Sequence, residues 1–506
     1  MNQYNQQQKQ NVEKWGVFEW VLSGPDKGNP FIDTLLRARF QLDQRVVEVN
    51  GFYDDDGIYR IRFMPDKTGE WQAVTHSNTP ELDGQTTTFI CREAAAGNHG
   101  PVVTDGRTGL RYTDGKLFSC IGTTAYAWIH QGDALAAETL NTLKDSPFDK
   151  IRMTVFPKSY RYNEHNDPDR FVFPVIKRGQ TSWDGHWDSK GTGSDWEFDY
   201  SRFDVRFFVL LEKRIIQLME LGIEADLILF HPYDRWGHSQ MPRDIDHRYL
   251  KYLIARLAAY RNVWWSLANE YDFLRSKTIE DWDAIGTLIA EQDPYHHLTG
   301  IHNGAEWFDH TRPWITHCSI QTSLFEFGQW QEAYGKPMVI DEMCYEGNIA
   351  EGWGNICARE MVHRFWDVAV QGGYPGHSEV YLTPEHVMWW NKGGQLRGES
   401  PARINFLRTI LEQVPHEPIT TCPDIIRGLA CGQRSGHWII GYTGVRQPVE
   451  ITASLPVGSH YRLHHIDTWN MTITEAETIQ SGSEGSVRVP LTGKPYMAFI
   501  LKALDE

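Results

Sequence analysis

Two apolar runs in this chain end abruptly in carboxylates, and paired carboxyl groups can carry out acid-base and nucleophilic chemistry. The first is Val263-Trp264-Trp265-Ser266-Leu267-Ala268-Asn269-Glu270-Tyr271-Asp272, and the second is Pro337-Met338-Val339-Ile340-Asp341-Glu342-Met343. Side chains alternate along a strand, so Glu342 shares a face with Met338 and Ile340 while Asp341 points the other way. Glu342 is therefore favoured as the second carboxylate. Cleaving a glycosidic bond with retention needs one carboxyl group to protonate the leaving oxygen and another to attack carbon, about 5–5.5 Å away. Burial of Glu270 among Trp264, Trp265 and Tyr271 would keep an acid neutral by disfavouring its charged form.

Such groups need a frame that brings distant parts of the chain together. From about residue 117 to 413, short apolar strands alternate with helix-period segments, the pattern of βα units around a parallel sheet. Eight strands begin near Phe118, Lys150, Glu224, Val263, Leu298, Cys318, Met338 and Gly372. Eight is the number that closes a barrel, and barrel active sites lie at the C-terminal strand ends. Helical spacing is clearest over 203–221, where Gly222 follows as a C-cap, and over 249–260. Residues 158–201 exceed an ordinary βα connection and are expected to roof the site.

Short alternating stretches broken by Gly, Pro and Asp mark a β module before the barrel and another after it. The expected organisation is a polar tail over 1–13, a β-sandwich over 14–96, the barrel over 97–413 and a second sandwich over 414–506. The fold class is α/β: a (β/α)8 TIM barrel flanked by two small all-β sandwich domains.

A net charge of -17, from 66 acidic and 49 basic side chains, repels nucleic acid and anionic membranes. Aromatic residues make up 13%, and their flat apolar rings suit the C–H faces of sugars as well as ordinary cores. The seven cysteines show no CxxC pair, which points to reduced thiols rather than a disulfide framework or a zinc site. The amino-terminal segment lacks the apolar core of a secretory signal, and no apolar run is long enough to span a bilayer. A cytoplasmic location is expected.

The Asn269-Glu270 pair on the fourth strand and Glu342 on the seventh resemble clan A of the glycoside hydrolases. With a sandwich before and after the barrel, the chain is most similar to the apiosidase-like branch. The resemblance implies Glu270 as acid/base, Glu342 as nucleophile and Asn269 as partner to the sugar 2-hydroxyl. It also implies that Arg152, on strand two, holds the nucleophile and keeps it ionised. His231, His302, Asn303 and Gln321 at strand ends are candidate hydroxyl partners, and Tyr126 and Trp128 are candidate subsite walls. The clan's strand-six tyrosine is missing from Ser319-Ile320-Gln321-Thr322-Ser323. In place of its strand-eight tryptophan stand Gly376-His377-Ser378-Glu379, so His377, Glu379 or the later Trp389 are the candidates there.

Two other classes fit the same barrel. A metal-dependent hydrolase would carry His-x-His after strand one to supply imidazole ligands, but Gly122-Thr123-Thr124-Ala125 stands there. A carbohydrate-binding protein without chemistry would not need both carboxylates. The sequence reading is therefore an exo-acting retaining glycosidase with a carbohydrate substrate, no metal and no cofactor. A symmetric homo-oligomer is the general expectation.

Overall fold

The computed structural model describes residues 10–162, 168–179, 195–414 and 417–504. Eight parallel strands form one sheet: β1 (Gly122–Thr124), β2 (Lys150–Thr154), β3 (Glu224–Phe230), β4 (Val263–Ala268), β5 (Thr299–Gly300), β6 (Cys318–Gln321), β7 (Met338–Glu342) and β8 (Tyr374–His377). They run in the order β5-β4-β3-β2-β1-β8-β7-β6, and a parallel bridge between His302 and Ser319 joins the two ends into a barrel. Every residue of β2, β3, β4 and β7 is buried, as it must be when side chains fill the barrel and helices cover it. β1 begins at Gly122 and not near Phe118, because Cys120 adopts φ 49° and interrupts the extended run.

The longer helices that follow the barrel strands are α1 (Asp133–Lys144), α2 (Val205–Glu220), α3 (Arg243–Leu257), α4 (Ile279–Gln292), α5 (Phe327–Tyr334), α6 (Ala358–Val370) and α7 (Ser400–Leu411). One follows each strand except β5, after which residues 301–317 contain no helix. α4 starts with a capping box, in which Thr278 accepts from Asp281 N while Asp281 accepts from Thr278 N. Among the described residues no helix is long and apolar enough to cross a membrane.

The chain divides into two compact units, Met1–Val102 with Tyr112–Asp114 and Thr154–Thr299, and Val103–Arg111 with Gly115–Met153 and Gly300–Glu506. The first unit contains a five-stranded and a three-stranded amino-terminal sheet as well as β3 and β4. Strand Leu36–Leu42 alternates buried and exposed residues without a break, so one face enters the core. There Phe18 stacks on Phe89 at 4.0 Å and Phe40 on Phe63 at 4.2 Å. This sandwich is tied to the helices beside it by buried ion pairs. Glu212 of α2 lies 2.7 Å from Arg62 and 2.6 Å from Arg256 of α3, which also reaches Asp54 at 2.6 Å. Phe31 joins Phe203 and Tyr252 in an aromatic cluster at the same seam.

Of the expected roof over 158–201, residues 163–167 and 180–194 lie outside the described residues. The described parts form an antiparallel pair, Val175–Lys177 with Glu197–Phe198. Phe171, Phe173, Trp196 and Phe198 are buried, and His238 lies within ring-contact distance of Phe171, Phe173 and Phe198.

The second unit holds β1, β6, β7 and β8 and a carboxy-terminal six-stranded sheet with an added two-stranded pair. Ile426, Ile439, Leu463, Val489, Phe499 and Leu501 fill the core of this β domain. α6 lies against it through Trp366, stacked on Tyr442 at 5.9 Å, and through His363, bonded to the same hydroxyl at 3.0 Å. All seven cysteines are free thiols.

Candidate active site

In the first unit, β4 ends in a constrained turn. Glu270 adopts φ 52°, a left-handed conformation that costs a non-glycine residue free energy and needs support from its surroundings. That support includes two donors to one carboxylate oxygen: the Tyr233 hydroxyl donates to Glu270 Oε2, and Asn269 Nδ2 donates to it at 3.0 Å. Burial, followed by the facing Glu270 carboxylate, holds the Tyr233 phenol well above its ordinary pKa, so it remains a donor. Lys158 Nζ lies 4.2 Å from the centre of the Tyr233 ring. Trp264 and Trp265, expected around Glu270, direct their indoles elsewhere, to Glu224 and Asp293, each at 2.9 Å. Both sit early in β4, too far back along the strand to enclose its end. The tyrosine beside Glu270 instead comes from the loop after β3.

In the second unit, β7 ends in Asp341-Glu342. The pairing of β6 with β7 steps from Ile320–Ile340 to Gln321–Glu342, so Asp341 is an extra residue opposite the partner strand. Strict alternation therefore fails here. Arg152 of β2 reaches Asp341 Oδ1 with Nε at 3.7 Å and Glu342 Oε1 with Nη1 at 3.4 Å, so the adjacent carboxylates face one guanidinium. Asp341 also binds Lys150 Nζ at 2.7 Å and accepts from the Ser319 hydroxyl at 2.6 Å. Burial alone would raise the Asp341 carboxyl, but Lys150 and Arg152 outweigh it and hold the group well below the carboxylate range.

Glu342 is treated differently by its surroundings. Burial pushes its carboxyl up to about 8, against a hydrogen bond from Tyr345. Arg152 stands beside Glu342, but its guanidinium is shared with Asp341, and burial is the largest influence on the Glu342 carboxyl. The Tyr126 hydroxyl also donates to Glu342 Oε1. Tyr126 packs edge-on against Trp390 at 5.6 Å, and Trp390 lies 5.2 Å from Trp353. These rings form an aromatic wall beside the carboxylate.

The remaining candidates fall in several places. Arg152, Tyr126 and Glu342 are brought together, as are Asn269 and Glu270. His231 is buried and its Nε2 lies 3.1 Å from the Phe156 carbonyl, while neighbouring Asp234 caps its own loop by accepting from Trp236 N and Ser239 N. His302 is fully buried, and burial, with Arg152 nearby, holds it well below its ordinary pKa and neutral at pH 7. Asn303 spends its amide on Gln321, accepting from its backbone N at 3.0 Å and donating to its carbonyl at 3.2 Å. Trp128 is fully buried in a short 3-10 turn. Trp389 donates its indole N–H to Thr123 at 2.8 Å, and Trp390 is the one that meets Tyr126. His377 stacks on Phe148 at 4.7 Å, and Glu379 accepts from the backbone N–H groups of Arg397 and Gly398. Sequence reasoning missed Tyr233, Tyr345, Trp353 and Trp390. The nearest signal was the clustering of aromatic residues just after strand ends.

Comparison with known proteins adds to this geometry. Residues 104–413 match the model of the apiosidase-like catalytic domain. The chain belongs to the apiosidase-like family. It is accordingly a glycoside hydrolase. Two domains of unknown function flank the apiosidase-like barrel, DUF5060 over residues 11–78 and DUF5605 over 428–502. A Bacteroides vulgatus ATCC 8482 protein assigned to the glycoside hydrolases is 36% identical, with 98% of this chain and 100% of that one covered at a TM-score of 0.91. A family 5 glycoside hydrolase from the same organism shares the fold at 15% identity and a TM-score of 0.57, covering 81% of this chain and 95% of that one. No curated protein matches the sequence.

Proposed function

We propose that this apiosidase-like enzyme is a retaining, exo-acting glycosidase in which Glu270 is the acid/base and Glu342 the nucleophile. The observation that carries this reading is that each glutamate is buried at the C-terminal end of its own strand, β4 or β7, and each accepts a tyrosine hydroxyl. The tyrosines take up lone pairs on one oxygen and orient the other. In the first step Glu342 attacks the anomeric carbon while Glu270 gives its proton to the departing oxygen; in the second, Glu270 takes a proton from water as the glycosyl ester is cleaved. Asn269 is the partner of the 2-hydroxyl. Lys150 and Arg152 neutralise Asp341 beside the nucleophile, so that Glu342, once ionised as pH rises toward 8, carries the single negative charge offered to the sugar.

The exo reading draws support from the length of segment 158–201 and the buried aromatics that anchor its described ends. We place the enzyme in the cytoplasm, acting on imported oligosaccharides or small glycosides.

Screening the purified chain against nitrophenyl glycosides tests the function, and azide tests the roles. Glu342→Ala should be inert and give an inverted glycosyl azide when rescued; Glu270→Ala should give a retained one on substrates with good leaving groups. The opposite pair of anomers would exchange the roles. Internal cuts appearing first in a long oligosaccharide would contradict the exo reading.

A further inference from the structure

Directly after Tyr345 the chain enters a second buried polar cluster. Glu346, His377 and Glu379 are each at most 1% exposed. Glu346 and Glu379 are parallel partners in the short pair Glu346–Gly347 with Glu379–Val380. One ligand atom from each of the three residues lies within 4.8 Å of the others. The carboxylates already accept several hydrogen bonds. Glu379 takes the N–H groups of Arg397 and Gly398, and Glu346 takes those of Glu399 and Ser400 together with the Tyr381 hydroxyl at 2.8 Å.

Apart from the Tyr381 hydroxyl these donors are backbone dipoles at or just before the start of α7, and Arg397, whose charge acts on Glu379, forms no ion pair with it among the described residues. Two carboxyl groups thus stand side by side in a water-poor interior, where ionising both is costly unless a positive charge offsets it. The histidine supplies a second, independent sign. Its Nδ1 lies 3.3 Å from the Thr123 hydroxyl, whereas its fully buried Nε2 has no partner. In the tautomer with the proton on Nδ1, facing the Thr123 oxygen, Nε2 offers an in-plane lone pair, as the nitrogen of a metal-binding histidine does. Phe148 stacks on the ring face.

We propose that Glu346, His377 and Glu379 bind one structural divalent cation of the zinc type. One imidazole nitrogen and two carboxylates make a three-ligand set that a tetrahedral ion completes with water, while Ca²⁺ and Mg²⁺ prefer all-oxygen shells. The ion joins the loop after β7 to the end of β8 and, through the amides the glutamates accept, to the first turn of α7. Its place in the chain gives it a consequence for the site, because Tyr345, next to Glu346, donates to Glu342. The site is distinct from catalytic metal chemistry, and it stands whether or not Glu342 is the nucleophile.

The test uses the full chain, stripped with a chelator, loaded with Zn²⁺ and dialysed, with elemental analysis and a thermal melt as readouts. One retained equivalent and a raised melting temperature are expected. His377→Gln should weaken zinc binding by about 100-fold or more while the circular dichroism of the fold is kept. If that variant does not fold, Glu379→Gln and X-ray absorption of the loaded wild type, which should show N/O ligands without sulfur, replace it. A wild type that retains no zinc, or an equivalent retained undiminished in both variants, overturns the proposal.

Discussion

At Glu342 two demands oppose each other, since a nucleophile must be ionised and burial disfavours that form. With the carboxyl raised to about 8, the acidic limb of the kcat/KM profile should fall near pH 8 and not near 4–5; a pH series on the best nitrophenyl substrate measures it. The stability sign follows. A carboxyl whose folded pKa lies above its unfolded value favours folding below the unfolded pKa and loses that contribution as pH rises toward 8. Glu342→Gln should therefore melt above the wild type by an increasing margin from pH 5 to pH 8, on the order of a few kcal/mol at the alkaline end. Removing the hydroxyl in Tyr126→Phe takes a donor from the ionised form, so the acidic limb should move further up; a limb that stays put would show that the bond does not act on Glu342. Both glutamates were visible in the sequence because each follows an apolar run. Tyr233 and Tyr345 were not, since their loops are positioned by contacts that no local pattern encodes, and the extra residue at Asp341 defeated the alternation rule.

At the scale of elements, all eight strands could be read from apolar runs, while the details departed where backbone geometry overrode composition. Cys120 delays β1, and the connection after β5 contains no helix although the barrel still closes through His302 and Ser319. The sequence could not show what joins the amino-terminal sandwich to α2 and α3, because Arg62, Glu212 and Arg256 are far apart in the chain and each reads as a surface charge. Buried together, they form a network in which Glu212 lies between two guanidiniums. Glu212→Ala would leave Arg62 and Arg256 facing each other without their shared counter-ion, and should destabilise the protein by about 3–5 kcal/mol in urea titration. A change within about 0.5 kcal/mol would mean that water reaches the network.

For the whole molecule, each terminal β domain packs against helices of its own unit, the amino-terminal one on α2 and α3 and the carboxy-terminal one on α6. A chain beginning at residue 98 would expose Phe203 and Tyr252, which now contact Phe31, and in the case of Tyr252 Phe52 as well, and should be insoluble or markedly less stable. Its recovery as a soluble, fully active enzyme would refute that structural role. The claim on which the account turns is covalent attack by Glu342. The most direct measurement is peptide mass spectrometry after reaction with an activated 2-deoxy-2-fluoro glycoside of whichever sugar the nitrophenyl panel shows to be cleaved. The account predicts one glycosyl adduct, carried by Glu342; an adduct on Asp341 or another residue would contradict it.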